Sequence, residues 1–382
     1  MVSVVAPQSR KSSSIGLSVL AVDQALYSGS NFVLATAAAR RMTEDEFGRF
    51  ALIILILSIM ANLGKAVWHE PDLAREATGF GPSPAQLAMA GLLGFGLVLV
   101  AQPLALTVGG VLVVVAQDRL RFQGLAVGRW PAVMAADLVW FVISLAAFLA
   151  PLDGAGLLAL WSGGAMASMI VLIAALTQRH PPGSIAVPVR LRAALLIDFA
   201  LFTGMTQLGA VVVGFTLAAA EFAGLRAAVI VFGPIGVLTG AVTTWIFATS
   251  GAVERPARRV LPIAILLAGF CVIVAGLAMV MPPRVGAVAF GASWPDRLVL
   301  ASIGLSVAAQ ALATPAMMLL RLSGRLRRLL TARLVAFCGF MVLVNATALL
   351  AGRAGPVAMM YVPVNLGLAV AAWRRVLEPQ AR

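Results

Sequence analysis

Apolar stretches of about twenty residues fill this chain, and polar residues separate them at short intervals. A bilayer's hydrocarbon core takes about 20 apolar residues of α-helix. Each stretch therefore reads as one membrane span, and the pattern predicts an all-α polytopic membrane protein. Twelve spans follow, over approximately 15–39, 48–68, 84–104, 105–124, 128–150, 154–177, 193–217, 222–248, 259–282, 297–320, 328–351 and 355–375. The third and fourth are the hardest to part. Only Gln102-Pro103 and Gly109-Gly110 offer breaks there, and proline breaks a helix by removing a donor and crowding the preceding turn. Loops between spans are short, so no soluble catalytic domain is expected.

The first span holds polar residues where lipid disfavours them. Asp23, Gln24 and Asn31 interrupt VDQALYSGSNFVLATAAARRMTEDEFGRF, and a carboxylate at the centre of a spanning helix costs about 2.5–3.5 kcal/mol on insertion scales. At about 100° per residue, Asp23, Tyr27, Asn31, Gln24 and Ser28 share one side of that helix. The pattern returns 175 positions later, where Asp198-Phe-Ala-Leu-Phe-Thr-Gly204 follows Asp23-Gln-Ala-Leu-Tyr-Ser-Gly29. At the same offset Glu46-Phe47 falls on Glu221-Phe222. Six spans separate the copies, an even number, so the halves are parallel repeats with a substrate path expected between them. The expected organisation is a tail over 1–14, an N-terminal six-helix lobe over 15–177, a linker over 178–192, a C-terminal six-helix lobe over 193–375 and a tail over 376–382. The two polar stripes then face a central cavity between the lobes.

Composition agrees with the pattern: 61% of residues are hydrophobic and 11% charged, with a mean hydropathy of +0.99. The net charge of +13 does not signal nucleic acid, because the basic residues sit in short clusters between apolar runs. With the N-terminus inside, 21 of the 28 basic residues, Arg119 and Arg121 among them, fall at cytoplasmic ends of spans. That asymmetry is the one cytoplasmic loops carry, and it puts both termini in the cytoplasm. All basic residues but Lys11 and Lys65 are arginine, a bias that points to a GC-rich bacterial genome and an inner-membrane location. Cys271 and Cys338 lie in apolar runs and read as small hydrophobes. His69 and His180 are the only histidines. Phosphate loops, zinc motifs and dinucleotide fingerprints are missing, so the reading is a non-enzyme with no cofactor and no metal.

The helix 1–2 segment DQALYSGSNFVLATAAARRMTEDEFGRFAL resembles the opening of lipid-linked oligosaccharide flippases. These form the polysaccharide-exporter branch of the multidrug/oligosaccharidyl-lipid/polysaccharide (MOP) exporter superfamily. QDRLRFQGLAVGRWPAVMAADLVW (117–140), EFAGLRAAVIVFGPIGVL (221–238) and FGASWPDRLVL (290–300) are similar to the bacterial pattern. The resemblance implies a MATE-like fold of two six-helix lobes, alternating access and a polyprenyl-diphosphate-linked glycan as cargo. Membrane lipids, and a glycan polymerase or other envelope-assembly proteins, are the implied partners.

On that reading Arg226 holds the anionic diphosphate, with Arg40 and Arg49 flanking the helix 1–2 turn in the family's pattern. Asn31 and Gln24 are candidates for sugar hydroxyls or helix contacts. Asp23 and Asp198 are candidates for proton or cation coupling, or for pairing with an arginine. Gly233-Pro234 marks a helix break or gate, and Asp137 a packing or pairing residue. Two alternatives stay open: a cation-coupled exporter of small drugs with the same fold, and a non-transporting scaffold of envelope assembly. A membrane glycosyltransferase or polymerase is set aside, since those need a sizeable acidic or histidine-bearing loop.

Overall fold

A computed structural model describes residues 14–64, 83–176, 196–197, 199–201, 204–249, 256–323 and 326–378. Its regular elements among the described residues are helices. They are α1 (Ser14–Arg41), α2 (Glu44–Gly64), α3 (Pro84–Leu99), α4 (Pro103–Ala126), α5 (Trp130–Leu145), α6 (Gly154–Leu176) and α7 (Gly209–Thr216). After these come α8 (Ala219–Val231), α9 (Gly233–Thr249), α10 (Pro256–Val280), α11 (Pro283–Phe290), α12 (Arg297–Leu322), α13 (Leu326–Ala351) and α14 (Ala354–Leu377). Nine helical stretches among the described residues are long and apolar enough to cross a bilayer, or ten if α8 and α9, bent by 42°, form one span. Helix α1 and the short α3 occupy the other two predicted positions. The predicted linker over 178–192 lies outside the described residues, as do residues 1–13.

Local chemistry sets the helix ends. Ser83 caps α3 by accepting from the Gln86 amide at 3.3 Å, while the Gln86 side chain takes the Ser83 amide at 2.8 Å. Thr43 and Glu46 make the same reciprocal arrangement at the start of α2, and each satisfies donors a helix start leaves open. Asp296 accepts from the Val299 amide at the head of α12. Proline opens α3, α4, α10 and α11, where its missing amide costs nothing. Within the helices, Ser58, Thr107, Ser144, Thr216 and Thr347 donate to carbonyls four residues back. Lipid offers those hydroxyls no partner, so the backbone supplies one. The apolar side chains of Leu104, Leu149, Leu266 and Leu350 are largely exposed, as a lipid-facing surface requires. The protein is a multi-pass membrane protein.

The chain divides into two compact units. One comprises residues 22–211 with 289–293; the other comprises residues 1–21, 212–288 and 294–382. In the first, α4 packs on α2, α3, α5 and α6 and so runs through the middle of the unit. Its junction with α3 corrects the sequence-based boundary of 104/105. The break falls at Val100–Gln102, where Ala101 takes a positive φ of 59°, and Pro103 starts α4. Gly109 is not a break at all. It lies inside α4, and α3 and α4 touch backbone to backbone where Gly94 meets Gly109: a Cβ on Gly94 would stand 2.6 Å from the Gly109 carbonyl oxygen. Small residues at such a crossing let helices approach closely in lipid. In the second unit α12 packs on α10 and α14, and Asn365 on α14 donates to Ser306 on α12 at 2.7 Å.

Replacing Gly94 or Gly109 by leucine forces α3 and α4 apart. The expected result is a drop in thermal midpoint of the purified protein larger than that of Gly96→Leu, whose Cβ meets open space.

Candidate functional site

Helices α1, α4, α5 and α6 of the first unit meet around one guanidinium. Gln117 and Arg121 lie four residues apart on α4 and therefore share a face. Arg121 Nε donates to Asp137 Oδ2 on α5 at 2.7 Å. Arg121 Nη2 donates to Asp23 Oδ2 on α1. The guanidinium carbon stands 4.7 Å from the centroid of the Tyr27 ring, within cation–π range. Gln117 Nε2 donates to Asp137 Oδ1 at 3.4 Å and to Ser168 Oγ on α6 at 3.2 Å. Arg119 completes the buried charged set, and Asp23, Gln117, Asp118, Arg119, Arg121 and Asp137 are each at most 2% exposed.

Aromatic rings wall this cluster. Tyr27 meets Trp140 edge to face with centroids 5.6 Å apart. Trp140 packs on Trp161 at 5.1 Å and donates its ring N–H to the Trp161 carbonyl at 2.9 Å. The edge-to-face contact follows from the ring quadrupoles. Burial strengthens each electrostatic contact and raises the cost of an unpaired charge. Arg121 bridges two carboxylates of this site, those of Asp23 and Asp137.

Arg119 and Arg121 are corrections to the charge count made from sequence. Neither is a loop residue; both are buried within α4. Asp23, read as a coupling or pairing group, is paired. Gln24 donates to Ser28 at 3.1 Å. Asn31 donates to the Tyr27 carbonyl of its own helix at 3.4 Å. Arg40 and Arg49 are exposed, and neighbouring Arg41 donates instead to the Phe148 carbonyl at 2.7 Å. Asp198 lies outside the described residues. The chain breaks at Gly233-Pro234, where α8 ends at Val231 and α9 begins.

Arg226 stands in the second unit, about 10 Å along α8 by helical rise. It is half-buried, its Nε is buried, and no hydrogen-bond partner reaches that atom. The only described titratable group acting on it is the Tyr361 phenol on α14. Glu221, one candidate partner on the same helix, accepts the Ala354 amide at 2.7 Å. Tyr361 packs edge to face on Phe340 at 4.8 Å. Two arginines thus occupy spanning helices with opposite surroundings: Arg121 between two carboxylates, Arg226 with no carboxylate among the described residues.

Removing one member of a buried ion pair costs about 3–5 kcal/mol, whereas replacing the whole group by apolar or neutral residues is often neutral. Asp137→Ala alone is therefore expected to destabilise the protein strongly. Asp23→Asn, Asp137→Asn and Arg121→Leu together are expected to cost less than Asp137→Ala, by thermal unfolding in one detergent.

No protein-family model and no curated protein matches the chain in sequence. Solved structures do match in shape. An outward-facing multidrug-resistance MATE-family transporter of the MOP superfamily superposes with a TM-score of 0.60 at 13% identity, covering 94% of each chain. An inward-facing MATE-family transporter gives 0.59 at 13%, over 91% of this chain and 92% of that one. A MOP-superfamily transporter from Pyrococcus furiosus, described by the reverse polarity of its binding pocket, gives 0.55 at 13%, over 94% of each. The chain has the fold of MATE-family transporters of the MOP superfamily.

Proposed function

We propose that this protein is an alternating-access transporter that flips a polyprenyl-diphosphate-linked oligosaccharide from the cytoplasmic to the outer leaflet of a bacterial inner membrane. Both termini are cytoplasmic on this reading, and a glycan polymerase or another envelope-assembly protein receives the product. The observation that carries it is Arg226. A guanidinium in a spanning helix without a carboxylate partner is costly, and an anionic ligand relieves that cost. Arginine stays charged at any relevant pH and grips phosphate oxygens bidentately. The Tyr361 hydroxyl is a second donor nearby. The carboxylates that would suit a cationic drug are, in the first unit, already engaged by Arg121. Pocket polarity is also what marks out the Pyrococcus furiosus neighbour within this fold.

A cation-coupled exporter of small drugs is the second reading. It draws on the same fold and on the multidrug-resistance neighbours.

The test is deletion of the gene, followed by restoration with intact protein, Arg226→Ala or Arg226→Lys at matched levels. The readout is the amount and leaflet of diphosphate-linked glycan. Cytoplasmic-leaflet precursor is expected to accumulate in the deletion, to be cleared by intact protein, and to persist with Arg226→Ala. Arg226→Lys is expected to clear it partially, because an ammonium keeps the charge and loses the fork. No accumulation in the deletion would favour the drug exporter or the scaffold.

A further inference from the structure

The cluster around Arg121 has the form of a cation site whose cation is part of the chain. Asp23 and Asp137 come from different helices and present Oδ2 atoms to one guanidinium. Tyr27 offers its ring face to the same group, a surface that attracts cations. Gln117 holds Asp137 from the other oxygen. We propose that Arg121 is a tethered counter-ion filling the cation site of Asp23 and Asp137, so that these carboxylates take no Na⁺ or other cation from solution.

The surroundings support this assignment. The titratable groups acting on Arg121 are Asp23 and Tyr27 from α1, Asp118 from its own helix α4, and Asp137 from α5. Helices α3 and α6 carry no titratable side chain. Arginine does not lose its proton in proteins, so the site keeps its cation through any pH change the membrane meets. Two N–H vectors of a rigid fork fit two separate carboxylates. Asp23 Oδ1 has no hydrogen-bond partner, so the acid is held mainly through its other oxygen, and the arginine is what fixes it.

Deleting the Arg121 side chain should uncover a working cation site. Full-length protein in detergent is melted in NaCl, LiCl or choline chloride at equal ionic strength, and with increasing methylguanidinium. The intact protein is expected to melt at the same temperature in Na⁺ and choline. Arg121→Ala is expected to melt lower, and methylguanidinium or Na⁺ to raise its midpoint saturably by several degrees. Adding Asp23→Asn and Asp137→Asn should abolish that response. Saturable Na⁺ stabilisation of the intact protein that Asp23→Asn removes would overturn the proposal. So would a folded Arg121→Ala that no cation stabilises. If Arg121→Ala does not fold, Asp23→Asn alone still decides. Loss of stability without any change in Na⁺ response is expected, and loss of a Na⁺ response present in the intact protein overturns the assignment.

Discussion

A buried guanidinium between two buried carboxylates sets the terms for the first unit. Charges taken out of water cost several kcal/mol each unless geometry and hydrogen bonds compensate. Arg121 therefore fixes the positions of α1 and α5 against α4, through Asp23 and Asp137. Gln117 extends the tie to α6. The aromatic wall of Tyr27, Trp140 and Trp161 closes around it. The close crossing of α3 on α4 at Gly94 and Gly109 backs the same helix from another side. Lipid gives no hydrophobic force between helices, so small-residue crossings and polar ties carry the association.

Arg226 stands in the opposite setting. It shares residue type with Arg121 and has none of its partners. The Arg121 cation is neutralised inside the protein and acts as architecture. The Arg226 cation has a buried Nε with no hydrogen-bond partner and, among the described titratable groups, only the Tyr361 phenol acting on it; on the proposed reading it takes an anion from outside. A break at Gly233-Pro234 follows close behind it on the same predicted span, so a bendable backbone and the free charge belong to one stretch of chain.

Much of the fold was legible because the bilayer imposes one length on every span. Apolar runs of the right length marked the helices, and Gln102-Pro103 marked a break between two of them. Of the two breaks offered between the third and fourth spans, Gln102-Pro103 is the real one and the 104/105 boundary lay two residues beyond it, while Gly109 resembles a break in sequence and is a contact in space. The site was harder to read. Asp23 stood out as a lone acid in an apolar run, and Asp137 was noticed as a pairing residue, yet Arg121 was taken for a topology charge. An arginine near a span end looks the same in sequence whether it reaches to headgroups or turns inward. A usable signal was present: Gln117, Asp118, Arg119 and Arg121 crowd one helix, and Gln117 with Arg121 recurs at helical spacing. Arg40 and Arg49 stood out through a family pattern, and their exposure reflects a helix turn at the surface.

On the proposed function the ligand goes to the unpaired cation, Arg226, and not to the paired one, Arg121. The most direct measurement is the saturable shift in thermal midpoint of the full-length protein on adding a short-chain polyprenyl diphosphate, against an organic cation of similar size. Stabilisation by the diphosphate that Arg226→Gln removes and Gly96→Leu retains is the predicted result. Stabilisation by the organic cation alone, unchanged in Arg226→Gln, would contradict the account.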